Sequence, residues 1–162
     1  MIYQMSDDNV RIRPALPEEA SELSGIAWAS KGAMEYAPEE LQELSSILDI
    51  SVEFIDENPT YVLENDETGE KTGFYSLVKR ADGTWWLSRL CVVPDCIGSG
   101  LGGELFLHAC EMAETVGAEY LYAFCGEDSV EFYLHMGAER IEDAPYTIGN
   151  REIILPTFRI KL

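Results

Sequence analysis

Between Val92 and Gly103 the chain reads Val-Val-Pro-Asp-Cys-Ile-Gly-Ser-Gly-Leu-Gly-Gly. Upstream of this run, Trp85 to Val93 is rich in aromatic and aliphatic residues, which predicts a strand. Downstream, Leu101, Leu105, Ala109, Met112 and Ala113 recur at helical spacing through Val116, and Gly117 stands where a left-handed cap ends a helix. The glycines at 98, 100, 102 and 103 therefore join a strand to a helix start. Bare backbone N–H groups can converge there on an anion, helped by the positive end of the helix dipole. The segment is a candidate phosphate cradle; the plain alternative is a tight connection with no ligand.

The surrounding pattern decides what sort of sheet holds that loop. Val10 to Arg13 alternates and is expected to stop at Pro14, giving a short first strand. Two acidic helical stretches follow, one from Pro17 through Trp28 with Leu23, Ile26 and Ala27 as its buried stripe. The other opens at Pro38-Glu39-Glu40 and buries Leu41, Leu44, Ile47 and Leu48, with a further turn at Ser51 to Asp56. Thr60 to Leu63, Thr72 to Lys79 and Trp85 to Val93 form hairpins across Asn65–Gly69 and Ala81-Asp82-Gly83. After the glycine-loop helix come a strand at Glu119–Cys125, a short helix at Ser129–His135, and strands at Glu139–Glu142 and Arg151–Ile160. Gly98, Gly100 and Gly103 satisfy G-x-G-x-x-G, but a dinucleotide fold places that turn after a first parallel strand. Hairpins precede it here, and Glu119 begins rather than ends the next strand, so that assignment fails.

Charge narrows the partners. Thirty acidic and eleven basic residues leave a net charge of −19, which disfavours nucleic acid and anionic membrane surfaces and favours cationic or neutral small molecules. With 46% apolar and 10% aromatic residues, the 162-residue chain can bury a core, and it is expected to be a single domain spanning 1–162. Cys91, Cys96, Cys110 and Cys125 form no CxxC pair, and only His108 and His135 could complete a metal site, so no metal is expected. Reduced thiols, no leader pattern over Met1–Asn9 and no run near the roughly 20 apolar residues of a membrane span point to the cytoplasm.

Val92 through Gly102 is similar to the V-x-P-x-x-[R/Q]-x-x-G-x-[G/A] signature of the GNAT superfamily of N-acetyltransferases. Ser129-Val130-Glu131-Phe132-Tyr133-Leu134-His135-Met136-Gly137-Ala138 resembles that family's A-x-x-F-Y-x-x-x-G-[F/A] segment, and the succession of elements agrees over nearly the whole chain. The resemblance implies an α/β fold with a mixed, mostly antiparallel central sheet flanked by helices around a coenzyme A cleft. It implies transfer of an acetyl group from acetyl-CoA to a primary amine of a small molecule, by direct attack through a tetrahedral intermediate. Leu90, Cys91, Val92 and Val93 would meet the thioester, and Gly98, Ser99, Gly100, Leu101, Gly102 and Gly103 the diphosphate. Tyr133 would assist departure of the thiolate. A homodimer is compatible with this reading.

Some positions depart from the family pattern. Ile97 replaces the usual Arg or Gln, and Ser99 stands where many members carry a basic residue. Leu87-Ser88-Arg89-Leu90 offers no carboxylate where some members keep a general base, leaving a water relay or, weakly, Glu35. The Ser30-Lys31 to Tyr36 segment and Asn150 to Pro156 resemble a less characterised subgroup. His108 and His135 read as helix-surface residues, Cys91 and Cys125 as buried small hydrophobes, and Cys96 as a loop thiol. An alternative keeps the fold without the reaction, as a noncatalytic acyl-CoA-binding or regulatory module. A third reading is an acidic docking face for a cationic protein.

Overall fold

The structure, a computed structural model, describes residues 10–31, 42, 45, 48–96, 98–148 and 151–162. Most of the second predicted helix, together with Glu35, Tyr36, Ile97 and Asn150, lies outside the described residues. Strands β1 (Val10–Pro14), β2 (Thr60–Asn65), β3 (Lys71–Lys79), β4 (Trp85–Val92), β5 (Tyr120–Phe124), β6 (Glu139–Ile148) and β7 (Arg151–Lys161) form one sheet in the order β1-β2-β3-β4-β5-β7-β6. Helices α1 (Ala20–Lys31), α2 (Val52–Glu57), α3 (Leu101–Thr115) and α4 (Val130–His135) flank it, with short 3-10 helices at Pro17–Glu19, Pro94–Cys96 and Glu127–Ser129. All neighbouring strands run antiparallel except β4 and β5. The sheet is mixed and mostly antiparallel, as expected.

β1 ends at Pro14, which pairs with Tyr61; β1 is an edge strand, where a missing N–H costs no ladder bond. β6, by contrast, outruns the predicted Glu139–Glu142 and passes through Pro145 at the opposite edge. Asn65 Oδ1 accepts from the Glu67 and Thr68 amides to build the β2–β3 turn, and Asp82 Oδ1 accepts from the Thr84 amide at the next turn. The turn residues act here by replacing backbone acceptors with side-chain ones. Ser51 caps α2 by accepting from the Phe54 amide at 3.0 Å.

Alternation along the strands sends side chains to two cores. On one face Leu63, Tyr75, Leu77, Leu87, Leu121, Ala123 and Phe158 pack with Leu105, Phe106 and Ala109 of α3 and Tyr133 of α4. On the other, Val62, Phe74 and Cys91 pack with Leu23, Ile26 and Ala27 of α1 and Ile55 of α2. Leu23, Leu63, Phe74, Tyr75 and Leu105 are completely buried, each such aliphatic or aromatic side chain contributing about 1.5–3 kcal/mol of transfer free energy.

Two irregularities position the site. β4 and β5 share only the pairs Trp85↔Leu121, Trp86↔Tyr122 and Leu87↔Ala123. Beyond Leu87 the strands part, β4 staying with β3 and β5 following β7, where the Cys125 amide donates to the Pro156 carbonyl. At the point of parting β4 also bulges: Phe74 pairs with Cys91 and Ser76 with Ser88, so Tyr75 stands opposite both Arg89 and Leu90. Arg89 adopts φ +57°, a left-handed conformation that costs an L-residue roughly 1–2 kcal/mol and re-aims the strand.

Candidate active site

Past its last pair with β5, β4 runs on through Pro94–Cys96 into the glycine loop and the start of α3. Gly98 and Gly100 have φ +85° and +90°, values open to glycine and strained for side-chain-bearing residues. A Cβ at either would meet no atom within 4 Å. Both glycines thus serve backbone conformation, and they leave the space before the helix clear. Gly102 and Gly103 are placed differently. A Cβ on Gly102 would lie 3.5 Å from the Phe132 ring, and one on Gly103 3.4 Å from Met136 Sδ. At either position a Cβ would make ordinary contact with the Phe132–Met136 stretch.

The Ser99 amide turns inward to the Cys96 carbonyl at 3.2 Å, and the Ser99 hydroxyl donates to the same oxygen. Ser99 therefore folds the loop. The amides of Leu101, Gly102 and Gly103, in the first turn of a 15-residue helix, have no intrahelical acceptor by virtue of their position. They and Gly100 are the donors that could hold an anion. The loop fits a diphosphate by its open backbone rather than by a cationic side chain.

Tyr133 is buried in the α3-side core, 6% exposed. Its ring stacks on Phe158 at 5.3 Å and meets Phe106 edge-on at 5.8 Å. Burial holds its phenol protonated well above the ordinary range, reinforced by the nearby thiols of Cys125 and Cys91. Cys125 follows β5 and Cys91 lies on β4. Leu90, Val92 and Val93 are half-buried along the same edge, and Cys91 is buried. A Gly102 Cβ would be 3.5 Å from the ring of Phe132, the neighbour of Tyr133, and 3.8 Å from Val92 Cγ2, so the start of α3, the Tyr133 helix and the Leu90–Val93 edge meet there.

The sequence reading missed some neighbours. Gly73 of β3 lies under the start of α3: a Cβ there would be 2.8 Å from the Cys91 carbonyl oxygen and 2.9 Å from Leu105 Cδ1. A lone glycine inside a predicted strand was the available signal. Glu104, in the first turn of α3, is buried, its Oε2 lacks a hydrogen-bond partner, and desolvation raises its pKa. His108 is not a plain helix-surface residue. It is half-buried, its Nδ1 lies 2.7 Å from the Tyr75 hydroxyl, and its ring meets Tyr61 edge-on at 4.9 Å. β2 and β3 bring both tyrosines beneath α3, a contact that helical spacing alone does not reveal. His135 is exposed, and Cys91 and Cys125 are buried, as read from sequence. The Cys96 thiol is pushed up by burial and by Glu70 and Asp95, the opposite of activation. Among the described residues no cluster of three or more His, Cys, Asp or Glu side chains could hold a metal ion, and no helix is long and apolar enough to cross a membrane.

A mixed sheet parted between two parallel strands, the first of which leads through a glycine loop into a helix, is the architecture of an N-acetyltransferase fold. Residues 21–138 match the model of the acetyltransferase (GNAT) family, and the chain belongs to that family. Among solved structures it is similar to a GCN5-related N-acetyltransferase from Rhodopseudomonas palustris, with TM-score 0.76, 22% identity and coverage of 98% of this chain and 99% of the other. It is also similar to yncA of Salmonella typhimurium, solved with its cofactor acetyl-CoA, with TM-score 0.69, 20% identity and 94% of each chain covered. N-acetylglutamate synthase from Neisseria gonorrhoeae, complexed with coenzyme A and N-acetyl-glutamate, aligns with TM-score 0.64 and 18% identity over 94% of this chain and 35% of that one. A search of curated proteins found no match.

Proposed function

We propose that the protein transfers the acetyl group of acetyl-CoA to the primary amine of a small molecule, by direct attack of the amine on the thioester carbonyl. The observation that carries this reading is the parting of β4 from β5 beyond Leu87 and Ala123, past which β4 runs on into the glycine loop. In this reading 1–162 act as one domain. Gly98 and Gly100 hold the loop open, Ser99 folds it, and the amides of Gly100, Leu101, Gly102 and Gly103 bind the diphosphate. The Leu90–Val93 edge receives the acyl arm, its backbone amides polarising the carbonyl. Acetyl-CoA supplies an activated acyl group on a good leaving thiolate. Tyr133 donates a hydrogen bond to that sulfur, since burial keeps its proton in place. With no carboxylate in Leu87–Leu90, the acceptor's proton leaves through water.

A family relative that holds an N-acetylated amino acid beside coenzyme A supports a small-molecule acceptor. The −19 charge favours an acceptor that is cationic or net neutral. Two measurements test the reading together. Calorimetry should show coenzyme A binding that Gly100→Val abolishes while circular dichroism shows a folded protein. Thiol release from acetyl-CoA should rise on adding amines; binding without amine-dependent release would instead identify a noncatalytic acyl-CoA module.

A further inference from the structure

We propose that the hydrogen bond between the Tyr75 hydroxyl and His108 fastens helix α3 to the sheet in a pH-sensitive way, so that protonating His108 releases the helix and weakens coenzyme A binding. The inference rests on the acetyl-transfer reading above and concerns the regulation of that same site.

Tyr75 of β3 is completely buried in the α3-side core, so its hydroxyl proton needs an acceptor inside the protein. His108 Nδ1, 2.7 Å away, supplies it. Burial holds the phenol protonated above its ordinary range, which makes Tyr75 the donor and leaves the neutral histidine its own proton on Nε2. A second proton, on Nδ1, sets two donors against each other and strands a fully buried hydroxyl without an acceptor. The titratable neighbours are Tyr61 of β2, edge-on to the histidine ring at 4.9 Å and stacked on Tyr75 at 5.5 Å, and Glu104, Cys110 and Glu111 on α3 itself; β1 offers only the apolar Val10 and Ile12 to this core. Desolvation holds His108 below its ordinary 6.5, against the opposing field of Glu111. The hydrogen bond is therefore intact above 6.5 and is lost as pH falls through the lower folded value.

Leu105 and His108 both seat α3 on β3. Leu105 covers Gly73, where a Cβ would come 2.9 Å from Leu105 Cδ1, and His108 meets Tyr75 a turn further on. Gly73 and Tyr75 share one face of the strand and Leu105 and His108 one side of the helix, so the two contacts together fix how the helix is rotated over the sheet. The amides of Leu101, Gly102 and Gly103 lie in the turn before Leu105, and Gly102 adjoins Val92 of the Leu90–Val93 edge. With the His108 contact gone, α3 rolls on Leu105 and the cradle moves relative to that edge. Coenzyme A held by both binds the fastened form better, and by linkage its binding makes His108 harder to protonate.

Calorimetry of coenzyme A binding from about pH 8 to about pH 5, the span over which a histidine changes charge, tests this, with circular dichroism at each pH to show that the protein titrated is folded. Over that span wild-type affinity should fall about 2- to 10-fold further than that of His108→Asn, the worth of one hydrogen bond. Asparagine keeps an acceptor at the Nδ1 position and takes up no proton. The phosphates of coenzyme A titrate in both proteins and cancel in the comparison. Tyr75→Phe keeps the ring stack on Tyr61 and loses the hydrogen bond. It should bind about 2- to 10-fold more weakly than wild type at the alkaline end and lose the same part of the pH dependence. Nitrogen NMR of wild-type His108 at the alkaline end should show the Nε2–H tautomer. Parallel pH profiles in the three proteins, or an Nδ1–H tautomer, overturn the assignment while leaving amine acetylation standing. Absence of coenzyme A binding to the wild type at every pH removes the acetyl-transfer reading and this inference with it.

Discussion

At the scale of single residues, Tyr133 and Glu104 are two buried acids whose pKa values burial raises, with different consequences. Removing the hydroxyl in Tyr133→Phe preserves the stack on Phe158 and the edge contact with Phe106. Turnover is expected to fall roughly 10- to 100-fold, the lower part of the range for acid catalysis because a thiolate leaves readily, with coenzyme A affinity almost unchanged. Steady-state kinetics with chemistry shown to be rate-limiting checks this, and full retained turnover would assign the phenol to packing alone. Glu104 has a carboxyl pKa raised by desolvation. Its unfolded form ionises first as pH rises, so the stability tied to the proton is present below the ordinary value of 4.5 and is lost as pH climbs through the folded pKa. Glu104→Gln should therefore raise Tm at pH 7 more than at pH 4. Sequence made the glycine cradle and Tyr133 legible because local motifs carry them. Arg89 and His108 were opaque, since the bulge and the tyrosine contacts arise only when β4 meets β3 and α3 settles over β2.

At the scale of elements, α3 sits close to the sheet only because Gly73 has no side chain. A Cβ there would strike the Cys91 carbonyl oxygen at 2.8 Å, and backbone cannot yield cheaply. Gly73→Val should destabilise the protein by about 2–4 kcal/mol through overpacking and a displaced helix. Denaturant unfolding measures this, and the accompanying shift of the glycine loop should weaken coenzyme A binding in whatever protein remains folded. A loss below 1 kcal/mol would show that α3 slides without consequence. Element types and order were readable from alternation and helical spacing. The length of β6 was not, because a strand that runs through Pro145 is tolerated only at an edge, and edge position is a matter of pairing. The parting of β4 and β5 is a matter of pairing, which no single strand's pattern contains.

At the scale of the whole molecule, an acidic chain concentrates part of its positive charge in one network near the first strands. Arg13 bonds Glu19 and Glu64 at 2.7 Å, and Lys71 reaches Glu19 at 3.2 Å and Glu22 at 3.1 Å. The Arg13 hydrogen bond is the chief cause that pulls the Glu19 carboxyl down to about 2, from an ordinary 4.5. A depressed folded pKa gives stability that is present above 4.5 and lost as pH falls toward 2. Glu19→Gln should therefore lower Tm at pH 7 and change it least near pH 2, as calorimetric scans across pH would show. The last consequence concerns opening kinetics. In backbone pairing, three residue pairs join β1–β4 to the β5–β7–β6 ladder, and the rest of the connection is side-chain packing in one core, as between Phe106 of α3 and Tyr133 of α4. Each block keeps its own hydrogen-bond ladder if the other loosens, so amide exchange should resolve two cooperative opening units instead of one global event. A ligand seated in the gap would couple them, and the slowest-exchanging amides of both blocks would then share a single opening free energy.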